Sequence, residues 1–118
     1  MDITFIKGSK EIERHFGYFP SFHDDYINSI EISGEAIVIC IRMECSEANL
    51  KPNAKERVKL TLEKPKKFFL EGELYGCVSI LFDMTFEKHE EEIVTKFTAS
   101  LGAEGIIHSE AVAIELLP

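Results

Sequence analysis

The sequence predicts an α+β protein that is mainly β, with a curved antiparallel sheet or sandwich of about six to eight strands and one short N-terminal helix. Two observations carry this prediction. Apolar residues recur at helical spacing between Ser9 and Phe16, and from residue 25 onward they alternate with polar residues. Short turns join the alternating runs, and the crossover helices that parallel strands need are missing, so we expect antiparallel pairing.

Length and composition predict a single domain over residues 1–118. The chain has 118 residues, of which 45% are hydrophobic, and it contains nine Phe, seven Gly and only four Pro. A chain of this length buries roughly two-thirds of its surface on folding, which provides a self-sufficient core. The composition excludes a disordered, collagenous or low-complexity protein.

The elements follow from local patterns. Ser9–Phe16 is predicted to be a helix of about two turns because Ile12, His15 and Phe16 share one face and Gly17 follows as a stop signal. Tyr26 begins a hairpin that turns at Gly34-Glu35. Its second strand, Ala36–Cys45, is apolar on both faces near its start, which predicts a central position in the sheet.

The rest of the chain reads as a loop followed by further strands. We expect a loop at Ser46–Lys55, a strand at Arg57–Glu63 that Pro65 ends, and an ambiguous segment at Phe68–Tyr75. Later strands turn at Glu90–Glu92 and at Gly102–Gly105. The strongest inward stripe is predicted at Val78, Ile80, Phe82, Met84 and Phe86, with Ser79, Asp83, Thr85 and Glu87 facing outward.

The net charge of −8 is confined to the C-terminal part of the chain. Residues 1–67 carry 11 acidic and 11 basic side chains, whereas residues 68–118 carry 10 acidic and 2 basic ones. Such a half repels phosphate backbones and favours a basic partner, so we expect no nucleic-acid binding. No apolar run approaches the roughly 20 residues that span a bilayer, and no secretory signal is visible at the N-terminus, so we expect no membrane partner.

The three cysteines, Cys40, Cys45 and Cys77, predict a reducing cytoplasmic environment. They are odd in number and lack C-x-x-C spacing, which argues against a disulfide framework or a zinc site. Cys40 lies in an apolar run, where a cysteine usually serves as a small buried hydrophobe.

The segment Phe16–Asp25 is the feature that strand physics explains least. It places four aromatic residues around Pro20, and the Phe19–Pro20 bond is open to a cis or a trans form. His23 is interpreted as a hydrogen-bonded structural residue; the alternative is a metal or catalytic site with His108 and Glu110. Adjacent residues of an extended chain point in opposite directions, so His23 and Asp24 are not expected to converge on one ion. His108 and Glu110 are predicted to share a strand face with Val112, Ile114 and Leu116, with the beginning of that strand reaching solvent past the edge of the core.

No established catalytic motif is present, and the chain is expected to be a non-enzyme without cofactor or metal. The sequence has no G-x-S-x-G, H-E-x-x-H, P-loop, dinucleotide-binding or EF-hand pattern.

Phe19-Pro20-Ser21-Phe22-His23-Asp24 resembles the (W/F)-P-S-F-H-D-A-E-(I/V) signature of the immunity protein 50 family, and similarity in layout extends over residues 12–118. Asp25 and Tyr26 stand where that signature has alanine and an acidic residue. The resemblance implies a small cytoplasmic bacterial protein, encoded beside a polymorphic toxin, that neutralises the toxin by binding it without catalysis. It assigns no toxin-contact residues.

The charge distribution suggests where such a partner would bind. The predicted partner-binding residues are five carboxylates of one strand and its turn: Asp83, Glu87, Glu90, Glu91 and Glu92. One alternative is a small-ligand binding β-domain that uses the aromatic residues of Phe16–Asp25 and His108 around a cavity, with a pocket lined by Tyr18, Phe22 and His23. Another is a hydrolase that uses His23, Asp24 and Glu110.

Overall fold

A computed structural model describes residues 3–43, 56–73 and 79–117 of the protein. The prediction of a mainly β α+β protein with one short N-terminal helix is confirmed. The described elements are one helix and six strands: α1 (Ser9–Phe16), β1 (Tyr26–Ile32), β2 (Ala36–Arg42), β3 (Arg57–Glu71), β4 (Ile80–Lys88), β5 (Ile93–Leu101) and β6 (Glu104–Leu117). The predicted loop at Ser46–Lys55, and with it Cys45 and Cys77, lies outside the described residues.

The six strands form one antiparallel sheet that closes on itself in the order β1-β2-β3-β6-β5-β4. The longest pairing joins β3 to β6, from Arg57 opposite Leu117 to Glu71 opposite Glu104. The closing pairing is much shorter, because the only Cα partners that join β1 to β4 among the described residues are Tyr26 and Ile80. Of the two arrangements expected from the sequence, the protein therefore adopts the single curved sheet.

Strand β2 is central, as its two apolar faces predicted. It pairs with β1 on one side and with β3 on the other. Cys40, a residue of β2, is half-buried with a free thiol, so it is less enclosed than the sequence predicts. The core consists of almost wholly buried side chains, among them Ile37, Ile39, Ile41, Leu60, Leu62, Leu81, Phe97, Ile107 and Val112.

Helix α1 has the predicted bounds, and it packs against β6. Its buried residues are Ser9, Ile12 and Phe16, which lie at the spacing of one helical face. The backbone of Lys7 fixes the start of the helix by accepting a hydrogen bond from Ile114 (2.8 Å) and donating one to Val112 (3.0 Å).

The expectation that Pro65 ends the third strand is wrong, since β3 continues to Glu71. Pro65 lies opposite Ser109 of β6, and the register shifts between Pro65 and Lys67. On its other side, β3 pairs with β2 only as far as Glu63. Proline is tolerated here because this part of β3 lies at an edge and at a bulge, where the missing N–H costs no ladder bond to a second neighbour.

The inward stripe predicted for the fourth strand is also partly wrong. Leu81, Met84 and Phe86 are buried, whereas Phe82 is 54% exposed and Ile80 is half-buried. The pairing with β5 shifts between Ile80 and Leu81 and again between Leu81 and Asp83. These irregularities break the alternation, because an extra residue in one strand moves its neighbours to the opposite face. Val78 lies outside the described residues, and the predicted outward Ser79 is buried.

His108 and Glu110 do not share a face with Val112 and Ile114 as predicted. Val112 and Ile114 are buried, but His108 is half-buried and Glu110 is exposed. In the first part of β6 the buried residues have odd numbers, as at Ile107 and Ser109, whereas in its last part they have even numbers, as at Val112 and Ile114. The inward side of β6 therefore changes within the stretch that lies opposite the β3 bulge, a change that sequence alternation does not encode.

Candidate functional site

The segment from residue 19 to residue 25 closes the sheet between β1 and β4. Asp24 N–H donates to the Leu81 carbonyl (2.9 Å), and Leu81 N–H donates to the Asp25 carbonyl (2.9 Å). Met84 N–H also donates to the Ser21 carbonyl (3.2 Å). Because β1 and β4 share one Cα pair in the part of the chain that the structure describes, these bonds supply much of the backbone pairing at this seam. We call residues 19–25 the clasp.

Two residues of the clasp have left-handed backbone conformations. Phe22 has φ 65° and Asp24 has φ 67°, and the Phe19–Pro20 bond is trans. A positive φ is uncommon for residues other than glycine, and aspartate tolerates it better than phenylalanine does. Phe22 is held in this conformation by its surroundings, since its ring is fully buried in the core.

Aromatic rings join the clasp to the core. Phe19 contacts Phe22 and Phe86 edge-on, with ring centroids 6.3 Å and 6.1 Å away. These distances and the nearly perpendicular planes are typical of favourable aromatic pairs. The aromatic residues that stood out in the sequence therefore anchor the clasp.

His23 contacts β4 as well as its own neighbour. Its Nδ1 lies 2.6 Å from the Phe82 carbonyl oxygen, and its ring packs edge-on against the Phe82 ring with centroids 5.4 Å apart. Its Nε2 lies 3.5 Å from Asp24 Oδ2. The chain is not extended here, because Phe22 and Asp24 have positive φ values, so the two side chains lie on the same side although the sequence placed them on opposite sides. The expectation that they do not converge on one ion stays a prediction.

The other residues proposed for chemistry at His23 have different partners. His108 Nδ1 lies 2.6 Å from Glu92 Oε2, and Glu110 Oε2 lies 3.6 Å from Lys64 Nζ. Within the described ranges, no group of three or more His, Cys, Asp or Glu residues is arranged to hold a metal ion. No helix in those ranges has the length and apolar character needed to cross a membrane.

A groove of about 400 Å³ lies between the clasp and β4. The clasp contributes Phe19, Pro20 and Ser21 to the wall of the groove. The ligand pocket that the sequence predicts involves different residues of this segment, Tyr18, Phe22 and His23. The full lining consists of Ile3, Glu13, Phe19, Pro20, Ser21, Asp83, Met84, Thr85 and Phe86. The groove is therefore largely apolar, with carboxylates contributed by α1 and by β4.

Asp83 is the groove residue that the charge pattern had already singled out. It is half-buried, and its Oδ1 accepts a hydrogen bond from Thr98 Oγ1 at 2.6 Å, which orients the carboxylate. Glu13, which lies on the exposed side of α1, was not predicted as a site residue. No sequence signal marks Glu13, because it comes near Asp83 only when the chain has folded.

The remaining predicted carboxylates lie farther along β4 and in its turn. Glu87, Glu90 and Glu91 are exposed, and Glu92 is half-buried. The hydrogen bond from His108 lowers the pKa of Glu92 below the usual glutamate value, and the nearby charges of His108, Lys66 and His89 act in the same direction. Glu92 is thereby tied to β6, whereas Glu90 and Glu91 project into solvent.

Comparison with known proteins identifies no relative of this chain. The chain matches no family model, and neither the curated proteins nor the solved structures include a significant match to it. Membership of the immunity protein 50 family therefore remains a proposal that rests on the motif residues Phe19–Asp24.

Proposed function

We propose that this chain is a bacterial immunity protein that neutralises a cognate toxin by binding it, without catalysis, in the cytoplasm. The groove between the clasp and β4 carries this proposal, because it combines an apolar wall with the carboxylates of Glu13 and Asp83. The resemblance of Phe19–Asp24 to the immunity protein signature supplies the class of partner.

The chemistry of the groove suits a long basic side chain. Arginine and lysine bury apolar stems while their charged heads seek carboxylates. Phe19, which is half-buried in the groove wall, offers apolar surface for such a stem, and Asp83 offers an oriented partner for the head. A toxin that acts on an anionic substrate would present basic residues of this kind in its own active site.

The acidic side of β4 continues beyond the groove. Glu87, Glu90 and Glu91 are exposed on the same strand and its turn. Complementary fields of this kind raise association rates and select partners, and salt screens them. We therefore assign Asp83 to affinity and the turn carboxylates to the rate of association.

The test is binding to the toxin encoded beside the gene for this chain. Asp83→Asn keeps the acceptor for Thr98 but removes the charge, and we expect it to weaken binding by about tenfold or more, which corresponds to at least ~1.4 kcal/mol. Glu35→Gln removes an exposed charge in the β1–β2 turn and serves as the matched control. Equal affinities for Asp83→Asn and Glu35→Gln would remove the groove from the interface.

The turn carboxylates require a kinetic measurement. The double variant Glu90→Gln/Glu91→Gln is expected to slow association at low salt, and the difference from the parent should shrink at high salt. An association rate that is unchanged at low salt would exclude the turn from the encounter surface. The double variant keeps the carboxylate of Glu92, so the bond between Glu92 and His108 is preserved.

The small-ligand alternative has one favourable observation. The groove volume of about 400 Å³ falls within the range of roughly 300–1,000 Å³ that small-molecule sites occupy. A small organic cation would satisfy the same carboxylates, and saturable binding of a guanidinium compound without any toxin affinity would favour this alternative. The hydrolase alternative is tested by His23→Ala, since undiminished toxin protection by a folded variant excludes a catalytic need for His23.

A further inference from the structure

One edge of the sheet has no neighbour among the described strands. Strand β3 pairs with β2 from Arg57 to Glu63, and it pairs with β6 along its whole length to Glu71. Residues 67–71 of β3, which we name the β3 edge, therefore pair with a described strand on one side only. A strand in this position presents unpaired backbone N–H and C=O groups, which are a template for pairing with another chain.

The β3 edge is more apolar than an ordinary exposed edge. Phe68 is 47% exposed and Phe69 is 62% exposed, although both are large aromatic residues. Phe69 lies opposite Ile106 of β6, which is itself 37% exposed, so the two form a joint apolar surface on the outside of the sheet. Aromatic side chains of this size contribute strongly to protein interfaces when they are buried.

The sequence of the β3 edge is complementary to itself in one register. A two-fold axis perpendicular to a sheet keeps every side chain on its own face, so one residue at the centre must pair with its own copy. Centring on Phe69 places Phe68 opposite Leu70 and Lys67 opposite Glu71, each pair occurring twice. Centring on Phe68 would instead place Lys67 opposite Phe69.

The pairing within one chain supplies a second argument for this register. Glu71 lies opposite Glu104 on β6, and both residues are exposed. Like charges directly opposite one another destabilise a pair of strands. A Lys67 from another copy would lie beside Glu71 on the same face and would offset this repulsion.

We propose that the β3 edge is a self-association surface, on which a second copy of this chain pairs antiparallel with Phe69 at the two-fold axis. The outer face of the joined sheets then carries the row Ile106, Phe69, Phe69 and Ile106 across four strands, flanked by Lys67–Glu71 pairs. Five residues from each copy form a small contact compared with the roughly 800 Å² per partner of a standard interface. The dimer is therefore weak and depends on concentration.

Sedimentation of the full chain over a wide concentration range tests the proposal. We expect the mass to rise from 13.4 kDa toward twice that value as the concentration increases. Phe69→Glu should keep the chain monomeric at every concentration, because it places two carboxylates at the axis. Phe82→Glu is the matched control, since Phe82 is a similarly exposed phenylalanine on β4.

Charge reversal tests the register itself. Lys67→Glu alone and Glu71→Lys alone each place like charges opposite one another twice, so each should weaken the dimer by about tenfold or more. The double variant Lys67→Glu/Glu71→Lys should restore it. Failure of the double variant to dimerise, when circular dichroism shows that it is folded, would overturn the register.

A parent chain that stays monomeric at every concentration would overturn the proposal as a whole. If, in addition, Phe69→Glu weakened toxin binding, the occupant of the edge would be the toxin and not a second copy. Dimerisation that Phe82→Glu abolishes and Phe69→Glu does not would place the self-association surface on β4. The proposal does not depend on the identity of the toxin, since every mass measurement uses this chain alone.

Discussion

Replacing Phe22 by alanine tests whether the clasp is integral to the fold. The Phe22 ring is fully buried, it contacts Phe19 edge-on, and its own backbone carbonyl accepts a hydrogen bond from Asp25 (3.0 Å). Truncating a buried phenylalanine removes its transfer free energy and leaves a cavity, which together cost about 3–5 kcal/mol. The surrounding backbone bonds to β4 restrict collapse of that cavity, so we expect a value near 4 kcal/mol, or roughly a thousandfold in the folding equilibrium.

The measurement is urea unfolding followed by far-ultraviolet circular dichroism, since the chain contains no tryptophan. At about 4 °C per kcal/mol for a domain of this size, the melting temperature should also fall by roughly 15 °C. Ile32→Ala is the control, because Ile32 is 51% exposed at the end of β1 and its truncation should cost less than about 1 kcal/mol. Phe22→Leu keeps most of the volume and should lose roughly half as much as Phe22→Ala. Equal losses at Phe22 and Ile32, or a loss below about 1 kcal/mol for Phe22→Ala, would refute the clasp as a stabilising element.

Two further predictions concern the ends of β6. Gly8→Ala should destabilise the fold by about 2 kcal/mol or more, because Gly8 has φ 89° and an added Cβ would lie 2.1 Å from the Ile114 carbonyl oxygen. Gly34→Ala, with no heavy atom within 4 Å of its Cβ, should change the stability little in the same denaturant titration. Glu92→Gln should destabilise the chain at neutral pH, because the lowered pKa of Glu92 means that the folded state favours its charged form. This contribution to the free energy of unfolding is present above the ordinary glutamate pKa and is lost as the pH falls through the lowered pKa. The stabilities of the parent and Glu92→Gln should therefore converge in acid. A stability difference that is constant with pH would contradict this reasoning.

The helix and most of the strands could be predicted because their signals are local. Ile12 and Phe16 share a helical face and Gly17 ends the helix in a left-handed conformation, so the predicted and observed bounds agree. The hairpin of β1 and β2 follows equally from alternation on both sides of Gly34. These features depend on residues that are close together in the sequence, so the sequence alone predicts them.

The features that could not be predicted depend on distant partners. Pro65 is tolerated within a strand because β2 does not extend alongside it. The position of β2 depends on the pairing of the whole sheet and cannot be inferred from the residues around Pro65. Likewise, the register shifts beside Leu81 decide which side chains of β4 face inward. The convergence of His23 and Asp24 requires left-handed backbones that no local signal demanded.

The candidate site shows the same division. Charge counting identified Asp83 as a candidate partner-binding residue before its position was known. The groove itself arises from the way the clasp crosses β4 and brings Glu13 of α1 to the same wall. Composition thus predicts the charge of the proposed partner, whereas the groove proposed to receive it depends on the fold.

The central claim, neutralisation by binding without catalysis, is tested most directly by titrating the toxin encoded beside the gene with this chain and measuring residual toxin activity. A binding protein must inhibit in proportion to its amount, so activity should fall linearly and disappear near one equivalent of chain per toxin when the toxin concentration is well above the dissociation constant. Complete and time-dependent inactivation by a small fraction of one equivalent would show turnover by this chain and would contradict the account.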